Sequence, residues 1–137
     1  MSHAAGLPFG FQKALPLLPK GALVIFTGSI AGSIGIPNIS VYSSTKVAVR
    51  NLARGWMLDT RERTGIHINV LSPGHTLTPG LQMLIPEEAL GGIVDTIPLS
   101  RLGNPEDLGK AAVFPASDDS AYITGIELDV DGGVSQD

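Results

Sequence analysis

Two hydrophobic rhythms alternate along this chain. Short runs that are apolar at nearly every position are separated by longer stretches in which apolar residues return at helical spacing. A run apolar on both sides suits a strand covered on both faces, so the alternation predicts βαβ units and a parallel sheet. The first strand reads as Ala22–Gly28, preceded by a short helix over Phe11–Leu18 that Pro16 weakens and Pro19 ends. Pro37 and Asn38 close a loop, and a long helix runs from about Ser40 to Arg63. On that helix Val41, Lys46 and Val49 fall near one face, which Leu52, Ala53 and Trp56 continue, and Gly65 is the C-terminal stop.

His67–Leu71 reads as the second strand, ending at Ser72-Pro73-Gly74. Residues 75–100, rich in Thr, Pro and Gly, read as a mobile loop with a short helix near Glu87–Val94. Asn104-Pro105-Glu106-Asp107 is a strong helix start: Asn caps, Pro occupies the first helical position, and two carboxylates meet the positive helix end. That helix should shorten or kink near Pro115. Gly125–Val130 is the third strand, and Asp131-Gly132-Gly133 turns the chain out of the sheet. The predicted fold class is α/β, with about three parallel strands and flanking helices.

Composition narrows the function classes. A chain of 137 residues, 43% hydrophobic and 16% charged with 17 glycines, has the length of one domain and is not disordered by composition. A formal charge of −4 offers no electrostatic footprint, so neither nucleic acid nor membrane is expected as a partner. Without cysteine there are no disulfides or thiolate metal sites, and His3, His67 and His75 lack metal-ligand spacing, so no metal is expected. Ala22–Phe26 is too short an apolar run to span a bilayer, and Met1–Gly10 has neither the basic nor the apolar region of a signal peptide. A cytoplasmic protein is expected.

The chemistry concentrates in three segments. Tyr42 and Lys46, four apart on a helix, emerge on the same face. A phenol is a poor acid at neutral pH, but a neighbouring ammonium stabilises the phenolate and makes Tyr42 a candidate general acid or base. Ser29 lies at the carboxyl end of the first strand, where open α/β sheets place their ligands, and Ser72-Pro73-Gly74 ends the second strand on the same edge. Each segment has an ordinary explanation on its own. A lone Tyr-x-x-x-Lys is usually a surface accident, a Ser after a strand is a turn or cap residue, and Pro-Gly is a common turn. Their combination, in order and each in a fitting structural context, shifts the weight toward a site.

Together these segments resemble the classical short-chain dehydrogenase/reductase family. Thr27-Gly28-Ser29-Ile30-Ala31-Gly32 looks like its catalytic-serine strand end, and Tyr42-Ser43-Ser44-Thr45-Lys46 like its Tyr-x-x-x-Lys. Asn69–Gly74 resembles its Pro-Gly segment, followed by Thr76 and Thr78 where the family touches the nicotinamide carboxamide and the adjacent phosphate. Pro98–Gly103 with Pro105–Asp107 resembles its late helix entry, and Asp129–Gly133 its final strand; the similarity runs from Gln12 to Gly133. The resemblance implies a partial Rossmann-like, doubly wound parallel sheet, with residues 1–137 forming a single truncated domain. It implies Ser29, Tyr42 and Lys46 as catalytic residues and Tyr42, Lys46, Pro73, Gly74, Thr76 and Thr78 as cofactor-binding residues. The implied cofactor is NAD or NADP, with hydride passing between it and a carbonyl or alcohol of a small-molecule substrate.

The sequence also departs from the family pattern. The Gly-x-x-x-Gly-x-Gly turn that holds the pyrophosphate at a helix N-terminus does not precede the first helix, and the family's Asn would fall near His3. Two or three lost contacts at about 1.5–3 kcal/mol each would weaken dinucleotide binding by orders of magnitude. The first strand would become an apolar sheet edge, which predicts a homo-oligomer through that edge or through the 40–63 helix. Two other functions compete with the oxidoreductase. One is a hydrolase or lyase reusing the Ser29, Tyr42 and Lys46 rim, with His75 or nearby carboxylates; Glu87/Glu88 and Asp129/Asp131 lie close in sequence but read more simply as cap or solvated residues. The other is a catalytically idle assembly module. The substrate cannot be read, because the segment 75–100 holds no diagnostic residue.

Overall fold

The computed structural model describes residues 2–136, with side chains from Gly6 to Glu62 and from Gly65 onward. Its organising element is the strand β2, His67–Pro73. Ile68 and Val70 on one face of β2 are 0% and 2% exposed, and Asn69 and Leu71 on the other are buried as well. A strand buried on both faces needs neighbours on both edges and covering layers above and below. The edges are taken by β1 (Leu23–Thr27) and β3 (Glu127–Val130), both parallel to β2 in the order β1-β2-β3. Register runs from Leu23↔His67 to Thr27↔Leu71 on one side and from Val70↔Glu127 to Pro73↔Val130 on the other. This is the α/β, three-stranded parallel arrangement that the hydrophobic pattern predicts.

Parallel neighbours require crossovers. The first is α2, Ser40–Thr64, whose bounds match the expected helix, and Gly65 ends it in the left-handed conformation at φ 60°. Val49, Ala53 and Thr60 are buried on this helix, with Trp56 and Met57 packed against the core beside them. The Thr60 hydroxyl satisfies itself by donating to the Trp56 carbonyl at 2.8 Å. Val41, expected on the same face, is instead 69% exposed: eight residues from Val49, it is rotated well away from the stripe that meets the sheet.

The N-terminal helix corrects the sequence reading. It spans Ser2–Ala14 as α1, with Pro8 inside, and only Leu15–Leu17, around Pro16, continues it as a 3-10 turn. Local propensity is poor, because Gly6, Pro8 and Gly10 all disfavour helix. Tertiary contact overrides it. Phe11 stacks on Trp56 with ring centroids 4.6 Å apart and meets Phe26 edge-on at 5.6 Å, so one aromatic cluster ties α1 to α2 and β1.

The second crossover carries three helices. The expected α4 (Glu87–Val94) is joined by an unexpected α3, Pro79–Leu84, which Thr78 caps by accepting the Leu81 amide at 3.2 Å. The stretch read as a mobile loop is therefore partly helical and pinned at its base. Leu77 donates to the Gly103 carbonyl at 2.8 Å, and Gly103 to that of His75 at 2.9 Å. Helix α5, Pro105–Val113, starts where expected. The Asp107 carboxylate accepts the Asn104 amide at 2.8 Å, and the helix tightens into a 3-10 turn at Phe114–Ala116 around the buried Pro115. Strand β3 starts two residues later than expected, because the Ile126 amide is taken by the Asn69 side chain at 3.2 Å rather than by a ladder carbonyl.

Because Ile68 is sealed between α1, α2 and the flanking strands, Ile68→Ala should lower the unfolding free energy by about 2–5 kcal/mol. Urea titration followed by fluorescence of the sole tryptophan, Trp56, should show an earlier midpoint with an unchanged slope.

Candidate active site

The carboxyl ends of β1 and β2 form a rim on which most of the expected site residues collect. At the end of β1, Ser29 starts a 3-10 turn, Ile30–Gly32, and its hydroxyl oxygen accepts the Ala31 amide at 3.2 Å. The serine is thus a cap, as its simplest reading had it, yet its hydroxyl hydrogen stays available to a substrate oxygen. The turn lies directly on α2. A Cβ on Gly32 would come within 3.2 Å of the Lys46 backbone carbon, so glycine sets how closely the Ser29 turn approaches the helix carrying Tyr42.

Lys46 joins the segments. Its ammonium donates to the Thr27 carbonyl at 3.1 Å, and it lies 5.6 Å from the centroid of the Tyr42 ring. Tyr42, one turn earlier on α2, presents a ring that is 43% exposed. The ammonium therefore sits over the face of the phenol and is anchored to the strand end two residues before Ser29. Beneath this group lies a polar network within the protein. One Arg50 nitrogen donates to the Ser33 hydroxyl at 3.1 Å and to Glu127 at 3.2 Å, while the Ser72 hydroxyl donates to the other Glu127 oxygen at 2.5 Å. Sequence reading passed over Arg50, Ser33 and Glu127. The available signal was Glu127, a carboxylate inside a short strand, which must find a partner when covered.

The β2 side of the rim is more structural. The space a side chain at Gly74 would need is filled by Asp131, whose Cβ would be 2.5 Å from the added atom. The Thr76 hydroxyl donates to the Gly74 carbonyl at 3.1 Å, and Thr78 is spent in part on capping α3. Thr76 keeps oxygen lone pairs and Thr78 keeps its hydroxyl hydrogen. The neighbouring carboxylates are occupied as turn and cap residues. Burial works to raise the Asp131 carboxyl, but hydrogen bonds from the Ser135 hydroxyl and from the amides of Ser135, Gly133 and Val134 outweigh it and hold the group below the usual carboxylate range. Glu87 and Glu88 lie exposed in the first turn of α4. The position near His3 falls outside the side chains described.

His75 lines a cleft of about 270 Å³ with Leu99, Arg101, Asp107 and Asp131, beside the ends of β2 and β3. The lining of this cleft includes none of Ser29, Tyr42 and Lys46. Burial lowers the His75 imidazole from its ordinary value, and its Nδ1 has no hydrogen-bond partner among the described residues. Among the described residues no group of three or more histidines and carboxylates is close enough to hold a metal, and no helix is long and apolar enough to cross a membrane.

For a dinucleotide, the fit is divided. Groups suited to its redox end are present in Ser29, Tyr42, Lys46, Thr76 and Thr78. Among the described residues a phosphate cradle is not: the rim glycines Gly28 and Gly74 have their open sides filled by Ser72 and Val70 and by Asp131, respectively. Their amides are also spent on the Leu71 and Val130 carbonyls, at 2.8 and 3.0 Å, so neither offers a free N–H to an anion.

A parallel α/β sheet flanked by helices places the chain among Rossmann-like folds, and its similarity to known proteins narrows the class. The family model described as "Enoyl-(Acyl carrier protein) reductase" matches residues 2–135. The oxidoreductase asL5 of Sarocladium schorii is 43% identical over 137 residues, covering 98% of this chain and 55% of its own length. Among solved structures, a short-chain dehydrogenase family protein from Francisella tularensis superposes with a TM-score of 0.87 at 25% identity, covering 94% of this chain and 57% of that one. A gluconate 5-dehydrogenase from Burkholderia cenocepacia, solved with NADP and tartrate, gives 0.75 at 35% identity, covering 82% and 44%. This chain belongs to the short-chain dehydrogenase/reductase family. It spans about half the length of the curated relatives it matches.

A His75 imidazole lowered by burial binds protons less readily in the folded than in the unfolded chain, so its contribution favours unfolding as pH falls below the ordinary imidazole value of about 6.5. Melting temperatures measured across about pH 5.5 to 7.5 should rise with pH, and His75→Gln should flatten that slope.

Proposed function

We propose that this chain carries the proton-transfer machinery of an NAD(P)-dependent carbonyl reductase or alcohol dehydrogenase. Tyr42 gives its phenolic proton to the substrate oxygen in reduction and takes it back in oxidation. Ser29 steadies the same oxygen with its remaining hydroxyl hydrogen. Lys46 stabilises the negative charge on the phenol oxygen as the proton leaves, and contributes a donor to the cofactor ribose. Pro73 and Gly74 shape the rim where the nicotinamide end lies, while Thr76 and Thr78 offer it the lone pairs and hydroxyl hydrogen that their local bonds leave free. When bound, the nicotinamide supplies or accepts the hydride.

The observation that carries this reading is the Lys46 ammonium. It is 3.1 Å from the Thr27 carbonyl and 5.6 Å from the Tyr42 ring centroid, so one cation ties the Ser29 strand end to the phenol. A cation held by the backbone is already placed for the charge that develops on proton transfer, with little reorganisation.

Calorimetric titration with NADH and with NADPH tests the cofactor. Saturable binding supports the reading, and no heat at millimolar nucleotide removes it for this chain. With ethyl acetoacetate or cyclohexanone as the carbonyl probe, Tyr42→Phe should lower kcat by about 10²–10⁴; an unchanged rate would take Tyr42 out of the mechanism.

We also propose that a second copy covers the outer edge of β1. That edge has no strand partner among the described residues, and an apolar groove beside it is lined by Leu7, Phe11, Leu18, Val24 and Phe26. Sedimentation at micromolar concentration should show a dimer or larger, and Val24→Lys should shift it to monomer.

A further inference from the structure

The network around Arg50 is used by nothing in the mechanism above, yet it joins the helix that carries Tyr42 and Lys46 to the turn that Ser29 opens. Arg50 lies one turn beyond Lys46 on α2, and its side chain is mostly covered. The two hydrogens of a single nitrogen serve two acceptors: the Ser33 hydroxyl at 3.1 Å and Glu127 at 3.2 Å. Ser33 closes the same short turn that Ser29 opens. Glu127, with a side chain only 10% exposed, sits on β3, and Ser72 on β2 donates to its second oxygen. The carboxylate therefore has partners on both oxygens and holds the guanidinium at a set place over the sheet.

Resting on the functional reading above, we propose that Arg50 is a positioning residue: anchored by Glu127, it holds the Ser29–Ser33 turn against α2 and so sets Ser29 relative to Tyr42. Three contacts fix that turn to the helix. Lys46 holds its start through the Thr27 carbonyl, Gly32 packs its middle against the Lys46 backbone, and Arg50 holds its end through Ser33. Only the last can be removed without disturbing the ion pair or a residue assigned to catalysis. A charge-assisted hydrogen bond of this kind fixes direction as well as distance, and displacing a reacting group by about 1 Å can cost about 100-fold in rate.

Ser33→Ala deletes the hold on the turn and leaves Arg50–Glu127 in place, while Ser33→Thr keeps a hydroxyl. Two measurements on the full chain follow. With ethyl acetoacetate and NADPH, Ser33→Ala should lower kcat about tenfold with KM changed less than about twofold, and Ser33→Thr should recover most of the loss. By amide hydrogen exchange, Gly32, Ser33 and Ile34, which donate to carbonyls within the turn, should exchange about tenfold faster in Ser33→Ala, with Val70 in β2 unchanged. A wild-type kcat in Ser33→Ala overturns the proposal. So does accelerated exchange at Val70 in parallel with the turn, which would mark a general loss of stability. If the wild-type chain turns over no carbonyl with either nucleotide, the oxidoreductase reading falls; unchanged exchange at 32–34 then also overturns the clamp, and faster exchange confined to 32–34 upholds it.

Discussion

A strand buried on both faces cannot leave any of its backbone polar groups or side chains unattended, and β2 imposes that demand on everything around it. Its two edges need parallel partners, which are β1 and β3. Its faces need apolar cover, which Ala53, Met57 and the Phe11–Trp56–Phe26 cluster supply on the side of α1 and α2. Its buried polar side chains are matched as well: Asn69 by backbone groups of Ile123 and Ile126, and Ser72 by the Glu127 carboxylate. Parallel pairing then forces both crossovers, and it is the crossovers that bring chemically useful side chains to the strand ends.

On the rim, close approach matters as much as residue chemistry. Gly28 lies so near Ser72 and Val70 that no side chain fits between β1 and β2, and Gly32 lets the Ser29 turn rest on the α2 backbone. These two approaches bring the serine strand end within reach of Lys46. The polar groups beneath, Arg50, Glu127 and Ser72, are satisfied by one another, so charge can be covered between helix and sheet without an unpaired member. The apolar groove beside β1 has the opposite character. It exposes surface that a sheet of this kind normally covers, in a chain spanning about half the length of its relatives.

The hydrophobic pattern made the three strands, α2, α4 and the start of α5 legible, because each is long or strongly punctuated: a double-sided apolar run, a 25-residue helix closed by Gly65, an Asn-Pro-Glu-Asp entry. It failed where local preference and tertiary contact disagree. The segment Ser2–Gly10 is a poor helix former held by Phe11 packing on Trp56, and short α3 hides in a stretch rich in turn residues. The site divides the same way. Tyr42 and Lys46 were readable because helical spacing alone puts them on one face. Ser33, Arg50 and Glu127 meet only through an α2–β3 contact 77 residues apart in sequence, which no local period encodes.

The sequence by itself determined the parallel α/β class, the helix carrying Tyr42 and Lys46, and the strand ends at Ser29 and Gly74, since these follow from periodicities and punctuation that act within a few residues. Only the tertiary structure decided that Lys46 bridges Thr27 and the Tyr42 ring, that Asp131 fills the space beside Gly74, and that His75 lies in a separate cleft. Those outcomes depend on how closely separate elements approach, and that is set by packing across the whole sheet.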